Sequence, residues 1–190
     1  MTTHYALYGL RLTADLPIQG LQEAEPTGVP DIHIRFAHSA PPAHFARALQ
    51  PWSPPAYPPR EGGVGYSIWR DPTGSLFRFR YPDGTEFVLD RLGANIWVSW
   101  MPPLTQADAV TYLVGPIIGF VLRWRGRLCL HASCVSSGES AFSLMGSAGA
   151  GKSTAASTFS TLGFPVVSDD ITAITETDGK CLALPGYPRT

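Results

Sequence analysis

The stretch LMGSAGAGKSTAAS, residues 144–157, contains the pattern G-x-x-x-x-G-K-[ST] from Gly146 to Ser153. Its glycines allow consecutive backbone N–H groups to converge on an anion. The apolar run AFSLM (141–145) before the loop predicts a strand. The run KSTAASTFSTL (152–162) after it predicts a helix whose positive dipole end faces the same anion. This context favours a nucleotide-binding loop over a structural glycine-rich turn.

The loop predicts a site for ATP with Mg²⁺. Lys152 is expected to reach the β and γ phosphates, and the Ser153 hydroxyl to ligate Mg²⁺. The residues predicted to bind the nucleotide are Gly146, Ser147, Ala148, Gly149, Ala150, Gly151, Lys152, Ser153 and Thr154.

Further candidate site residues lie on both sides of the loop. FPVVS (164–168) predicts a strand that ends in Asp169 and Asp170, at the edge where open α/β sheets bind ligands. Carboxylates there can hold Mg²⁺ or accept a proton from a hydroxyl nucleophile; solvated or helix-capping aspartates are the structural alternative. His131 lies in the predicted strand LCLHASCV (128–135), where a lone histidine is more often a core residue than a catalyst.

Composition excludes several classes of protein. Apolar residues make up 44% of the 190 residues and charged residues 15%, which is typical of a packed globular protein. The net charge of −1 gives no indication of nucleic acid or an acidic membrane as partner. The most apolar run, VTYLVGPIIGFVL (110–122), is too short to span a bilayer, and the start of the chain does not resemble a signal peptide. We expect a cytoplasmic protein.

The cysteines predict neither disulfides nor a zinc site. Cys129, Cys134 and Cys181 are odd in number and lack a C-x-x-C spacing. We expect them to be buried as small hydrophobic residues in a reducing compartment.

The N-terminal part of the chain predicts a β-rich domain. Residues 4–15 and 31–37 have strand patterns, whereas residues 41–60 hold seven prolines and predict a loop or linker. From residue 65 to residue 101, short apolar stretches alternate with turn sequences, as in an antiparallel meander. Its predicted face-lining residues are Phe77, Phe79, Phe87, Leu89, Ile96, Val98 and Trp100.

The C-terminal part predicts alternating helices and strands. Thr105 and Asp108 can cap a helix through residues 109–126, which Pro116 kinks or divides. The helix after the loop is expected to bury a stripe of small and apolar residues, and residues 171–184 predict a hairpin. The members of that stripe are Ala155, Phe159 and Leu162.

The run from residue 130 to residue 174 resembles the core of the HPr kinase/phosphorylase family (HPr serine kinase C-terminal domain). The shared order is a histidine opening a strand, a turn, a strand into the phosphate loop, a helix ending at glycine, and a strand finishing in Asp-Asp. The resemblance implies an α/β fold with a P-loop kinase core of HPr kinase/PEP carboxykinase-like type, preceded by a β-rich N-terminal domain. The expected domains are 1–103, with the proline-rich linker 41–60, and 104–190.

The resemblance also implies roles for individual residues. His131 would be an active-site residue, Lys152 and the loop would bind ATP, and Ser153 would bind Mg²⁺. Of the aspartate pair, Asp170 is expected to be the base toward a serine hydroxyl and Asp169 its partner or a metal contact. The two roles could be exchanged.

Residues 4–129 resemble the β-rich leader of HPr-kinase-like proteins encoded near peptide natural-product and other biosynthetic genes. The likeness lies in YGLRL (8–12) and in the junction, residues 108–133. The family's further acidic metal ligand and its catalytic arginine lie downstream of the Asp-Asp pair, whereas this sequence stops at LPGYPRT. We therefore expect the sequence to end inside the domain and to lack the reverse, phosphorylase reaction.

The leading hypothesis is an ATP- and Mg²⁺-dependent kinase that phosphorylates a serine hydroxyl of a protein or peptide, with the N-terminal domain serving recognition or assembly. Two alternatives stay open: a small-molecule kinase or carboxykinase-like transferase, and an ATP-binding regulatory module without turnover. No nucleic acid or membrane partner is expected, and a homo-oligomer is compatible with the sequence.

Overall fold

A computed structural model describes residues 2–36, 49–52 and 65–187. Over these described residues the fold is mixed α/β and mostly β, with a large mixed sheet and two helical segments, which confirms the predicted α/β class. The chain forms two compact units. The first contains Leu12–Gln19 and Glu25–Thr111, and the second contains Tyr5–Arg11, Gly20–Ala24 and the residues from Tyr112 onward. The domain boundary near residue 103 stays a prediction; the tip of the first hairpin groups with the C-terminal residues.

In the described part of the chain, eight strands form the large sheet. They are β1 Thr3–Leu7, β2 Leu10–Ala14, β3 Ile32–Phe36, β4 Gln50–Pro51, β5 Ser67–Arg70, β6 Leu76–Arg80, β7 Glu86–Asp90 and β8 Asn95–Ser99. Their spatial order is β1-β2-β3-β8-β7-β6-β5-β4. The predicted antiparallel meander β5–β8 is confirmed, whereas β3 runs parallel to both of its neighbours, β2 and β8.

Only residues 49–52 of the predicted linker 41–60 lie among the described residues. Gln50–Pro51 form a short strand at the edge of the sheet, paired with β5. An edge strand tolerates proline because one row of its backbone groups needs no partner. The rest of the linker prediction falls outside the described residues.

The core of the first unit follows the period of two that its strands show in sequence. Six of the seven predicted face-lining residues are at most 2% exposed. Trp100, the seventh, is half-buried just beyond β8, with its ring edge-on to Phe36 at 6.1 Å between centroids. The alternation of side chains across each strand therefore predicted this core correctly.

The long helical segment is interrupted where proline was expected to divide it. Helix α1 (Gln106–Tyr112) passes into a π-helical turn (Leu113–Ile117) and then helix α2 (Ile118–Trp124). Pro116 lies inside the turn and has no N–H to donate, so a regular α-helical ladder cannot continue through it. The predicted cap is confirmed: Asp108 Oδ2 accepts hydrogen bonds from Thr105 N at 2.8 Å and Oγ1 at 2.7 Å. These bonds lower the pKa of Asp108.

The second unit contains two three-stranded sheets. Strands β11 (Ser140–Met145), β10 (Ala132–Ser137) and β12 (Val166–Ser168) form one sheet in that order. Strands β14 (Lys180–Leu184), β13 (Thr172–Thr177) and β9 (Leu128–Leu130) form the other. The predicted single strand 128–135 is therefore wrong: it breaks at His131, and its two parts join different sheets. The hairpin predicted over 171–184 is confirmed as β13 and β14.

Helix α3 (Lys152–Thr161) lies against β10, β11 and β12. The buried stripe predicted for it is wrong at Leu162, which is 67% exposed, and it omitted Ala156, which is fully buried. Ala155 and Phe159 are half-buried. Phe159 packs edge-on between Phe142 and Phe164, with centroid distances of 5.2 and 5.8 Å.

The cysteines differ in exposure more than the sequence predicted. Cys134 is buried and Cys129 half-buried, but Cys181 is exposed on β14, so the expectation of burial is wrong for Cys181. Burial raises the pKa of the Cys129 thiol.

The segment Gln106–Trp124 is long and apolar enough to cross a membrane, with a mean hydropathy of 1.2. However, 61% of that window is buried within the protein, as in the core helix of a soluble protein.

Candidate active site

The glycine-rich loop connects β11 to α3. Residues 146–151 are all exposed, and α3 begins at Lys152 directly after them. Gly149 and Gly151 have positive φ angles of 79° and 83°, a conformation that glycine adopts without strain. Among the described residues, no side chain caps the N-terminus of α3. The first amides of the helix therefore keep the capacity to bind an anion.

Lys152 joins the loop to the strand junction. Its Nζ lies 3.1 Å from the carbonyl oxygens of Gly146 and Ser147, and 3.1 Å from His131 Nε2. The ammonium group is thus held between the start of the loop and His131. Because Lys152 donates, His131 Nε2 acts as the acceptor, and a neutral His131 then carries its proton on Nδ1.

His131 lies at the break between β9 and β10 and links Lys152 to Asp170. Its Nδ1 lies 3.0 Å from the carbonyl oxygen of Asp170 and 3.3 Å from Asp170 Oδ1. The His131 side chain is 56% exposed, so it is not the satisfied core histidine of the structural alternative. The chain leaves one sheet and enters the other at His131, because β9 and β10 belong to different sheets. This break exposes the His131 side chain, which a continuous strand could have buried.

Asp169 is the buried member of the carboxylate pair, with 3% of its surface exposed. Its Oδ1 accepts hydrogen bonds from Ser133 Oγ at 2.5 Å and from Ser153 Oγ at 3.0 Å. Its Oδ2 is buried and has no hydrogen-bond partner among the described residues. A buried carboxylate oxygen without a partner is costly, and such an atom commonly faces an ion or a bound group.

Asp170 is the more accessible member, with 29% of its side chain exposed. Its φ angle of 68° places it in the left-handed region, which aspartate tolerates better than most residues. A Cβ atom added at Gly115, in the π-helical turn, would lie 2.9 Å from Asp170 Oδ2. The bare backbone of Gly115 therefore leaves room for this carboxylate.

Tyr8, at the tip of the first hairpin, is packed into the same unit. Its N–H donates to Pro185 O at 2.7 Å, and its ring lies against the backbone of Gly186. Burial raises the pKa of the Tyr8 phenol, and the nearby charges of Asp170 and Asp169 act in the same direction. This part of the N-terminal sequence thus belongs structurally with the carboxylate pair.

The donor set fits Mg²⁺ that arrives with a nucleotide. Within the described ranges, no group of three or more His, Cys, Asp or Glu residues could hold a metal ion. The Ser153 hydroxyl and the Asp169 carboxylate offer oxygen ligands 3.0 Å apart. Mg²⁺ commonly takes one or two protein oxygens and completes its shell with phosphates and water.

The predicted site residues divide into two groups. The first group forms two hydrogen-bonded sets that are neighbours along the chain: Lys152 with His131 and Asp170, and Ser153 with Asp169. Lys152 also donates to the carbonyls of Gly146 and Ser147. The other loop residues lie next to them along the chain but take no part in those bonds. This second group is Ala148, Gly149, Ala150, Gly151 and Thr154.

Three residues near the site were not predicted from sequence. Ser133 is a polar residue inside an apolar strand, which was the available signal. Gly115 directly precedes Pro116, which was expected to interrupt the helix, and Tyr8 was noted only as part of a likeness to other proteins.

No protein-family model, curated protein or solved structure matches this chain. The functional interpretation therefore depends on the residues and geometry described above.

Proposed function

We propose that this protein is an ATP- and Mg²⁺-dependent serine kinase with a P-loop core of HPr kinase/PEP carboxykinase-like type. One observation carries the proposal: the loop lysine, Lys152, is connected through His131 to Asp170, while the loop serine, Ser153, is bonded to Asp169. The phosphate-binding loop and the two carboxylates thus form one connected site, as phosphoryl transfer requires.

The phosphates of ATP would lie on the loop amides at the N-terminus of α3. Lys152 Nζ, which donates to two loop carbonyls, would turn to the β and γ phosphates and neutralise their charge. Arginine would be a poorer choice here, because a compact ammonium on a flexible stem can exchange these partners readily.

Asp169 and Ser153 would hold Mg²⁺ on the nucleotide. When bound, Mg²⁺ supplies charge neutralisation and orientation of the transferred phosphate. The buried Asp169 Oδ2 and the shared hydrogen bond to Ser153 support this role for Asp169. Its burial also argues against Asp169 as the group that contacts a bulky acceptor.

Asp170 would be the base toward the acceptor hydroxyl. Its carboxylate is partly exposed and oriented by His131, so a serine side chain can approach it. In the reaction, the serine oxygen forms a bond to the γ phosphorus, the bond from that phosphorus to the β–γ bridging oxygen breaks, and ADP leaves. The serine proton passes to the Asp170 carboxylate.

An exposed site favours a protein or peptide acceptor. The loop and His131 are exposed, which leaves access for a serine within a polypeptide. The net charge of −1 gives no support for nucleic acid or a membrane surface as partner. Cytoplasmic location, recognition of the acceptor by the N-terminal residues and a homo-oligomeric state are parts of the same proposal.

Transfer of labelled phosphate tests this function. The full chain is incubated with Mg²⁺, γ-labelled ATP and a library of serine-containing peptides, beside Asp170→Asn. We expect acid-stable phosphoserine with the wild type, and about 10²-fold or greater loss with the variant at unchanged ATP affinity. Binding of ATP without any transfer would instead favour a regulatory module.

A further inference from the structure

Ser133 is a buried hydroxyl that the proposed reaction does not itself use. It lies on β10, has no exposed surface, and donates to Asp169 Oδ1 at 2.5 Å. A strand interior that is otherwise apolar would accommodate alanine or valine at this position. The hydroxyl therefore has a specific partner, and that partner is the carboxylate assigned above to Mg²⁺.

We propose that Ser133 is a positioning residue that fixes the Asp169 carboxylate for Mg²⁺ binding, an inference that rests on the proposed kinase function. Asp169 Oδ1 accepts from both Ser133 and Ser153, whereas Oδ2 has no partner within the described part of the chain. Because two hydrogen bonds hold Oδ1 in place, the orientation of the carboxylate plane is fixed, and with it the position of Oδ2.

The two donors are not equivalent. Ser153 is exposed on the first turn of α3 and turns its oxygen toward the cation when the nucleotide binds. Ser133 is held in the middle strand of the β11-β10-β12 sheet and has no such second task. Its hydrogen bond can therefore keep the carboxylate in place before and after metal binding. Groups that orient a metal ligand in this way typically change metal affinity by about 10–100-fold when removed.

The test measures Mn²⁺ binding by electron paramagnetic resonance, with the full chain and a non-hydrolysable ATP analogue. We expect Ser133→Ala to weaken Mn²⁺ binding by at least about tenfold, with little change in metal-free binding of the analogue. Ser168→Ala is the matched control: Ser168 is equally buried but bonds to Thr172. Its Mn²⁺ affinity should equal that of the wild type.

A second comparison separates positioning from general loss of structure. In an Asp169→Asn background, Ser133→Ala should cause no further loss of Mn²⁺ affinity, because both changes act through one carboxylate. If Ser133→Ala does not fold, Ser133→Cys replaces it, since a thiol is a weak donor of nearly the same shape.

The positioning role is overturned if the Mn²⁺ affinity of the folded Ser133 variant is within about twofold of the wild-type affinity, because removing a group that orients a metal ligand changes affinity by more than this. It is also overturned if Ser168→Ala weakens binding equally. A wild-type chain that binds neither the analogue nor Mn²⁺ would overturn the proposed kinase function, and the role of Ser133 with it. If the wild type and the Ser133 variant bind the analogue and Mn²⁺ equally well, the positioning role alone is overturned.

Discussion

Asp169 and Asp170 are adjacent in the chain, yet their carboxylates meet different partners: the buried Asp169 accepts from Ser133 and Ser153, whereas the partly exposed Asp170 contacts His131. Asp170 also has a left-handed backbone, with φ of 68°. This division supports separate chemical roles for the pair.

Asp169→Asn should raise the Mg²⁺ concentration needed for half-maximal transfer by at least about tenfold, because an amide is a weaker ligand than a carboxylate. Asp170→Asn should leave that concentration unchanged while lowering the maximal rate. Titration of Mg²⁺ at saturating ATP distinguishes the two. An Mg²⁺ requirement raised by Asp170→Asn and not by Asp169→Asn would mean that the roles are exchanged.

His131→Ala should lower the transfer rate by about 100-fold, the scale expected when a reacting group is misplaced by about 1 Å. The reason is that Asp170 loses the ring nitrogen that contacts its carbonyl and, at 3.3 Å, its carboxylate, and that Lys152 loses an acceptor. Steady-state kinetics measures the change. His33→Ala is the control, since His33 lies on β3 and bonds to Thr13. Equal transfer rates for His131→Ala and His33→Ala would contradict a role for His131 in the reaction.

Gly115→Ala should lower the transfer rate by about tenfold or more, because the added methyl group would lie 2.9 Å from Asp170 Oδ2. Alanine is otherwise the better helix former by about 1 kcal/mol, so the protein should stay folded. Rates and thermal unfolding are measured together. In an Asp170→Asn background, Gly115→Ala should lower the transfer rate by a smaller factor than in the wild type. If the two changes lower the rate by independent factors, this explanation is contradicted.

Asp71→Asn should lower the free energy of unfolding by about 1 kcal/mol at pH 7. The Asp71 carboxylate is 2% exposed and accepts bonds from Leu76 N at 2.8 Å and Ser75 Oγ at 2.9 Å, with Thr73 as a third donor. Burial alone would raise the pKa of Asp71, but these bonds outweigh it and hold the pKa below the ordinary 3.8.

The sign of the pH dependence follows from that lowered pKa. The stabilisation by Asp71 is fully present above the unfolded value of 3.8 and is lost as the pH falls toward the folded pKa. Chemical unfolding of wild type and variant should therefore begin to converge as the pH falls below 3.8, and converge further as it approaches the folded pKa. Asp178→Asn, in an exposed turn, is the control and should change little. A constant difference at all pH values would contradict the assignment.

Local patterns in the sequence predicted much of the fold and of the site. The meander, the final hairpin and the capped helix follow from alternation, turn residues and side-chain capping, which act over a few positions. The motif likewise predicted Lys152 and Ser153. Local patterns do not show that two halves of an apolar run join different sheets, so the break between β9 and β10 at His131 was not predicted.

Long-range packing accounts for the rest. The face that α3 buries depends on the sheet it meets, which is why Ala156 replaced the predicted stripe. Ser133 and Gly115 acquire their importance only from Asp169 and Asp170, which follow them by many residues. No local pattern connects such pairs.

The most direct measurement is the binding of ATP with Mg²⁺ by isothermal titration calorimetry, comparing the full chain with Lys152→Ala. Lys180→Ala is the matched control, because Lys180 is the other lysine of the sequence and is exposed at the start of β14. We predict binding by the wild type and by Lys180→Ala, and affinity lower by about 10–100-fold for Lys152→Ala, the range for a hydrogen bond to a charged group. No binding by the wild type, or equal binding by all three, would contradict the phosphate-loop account.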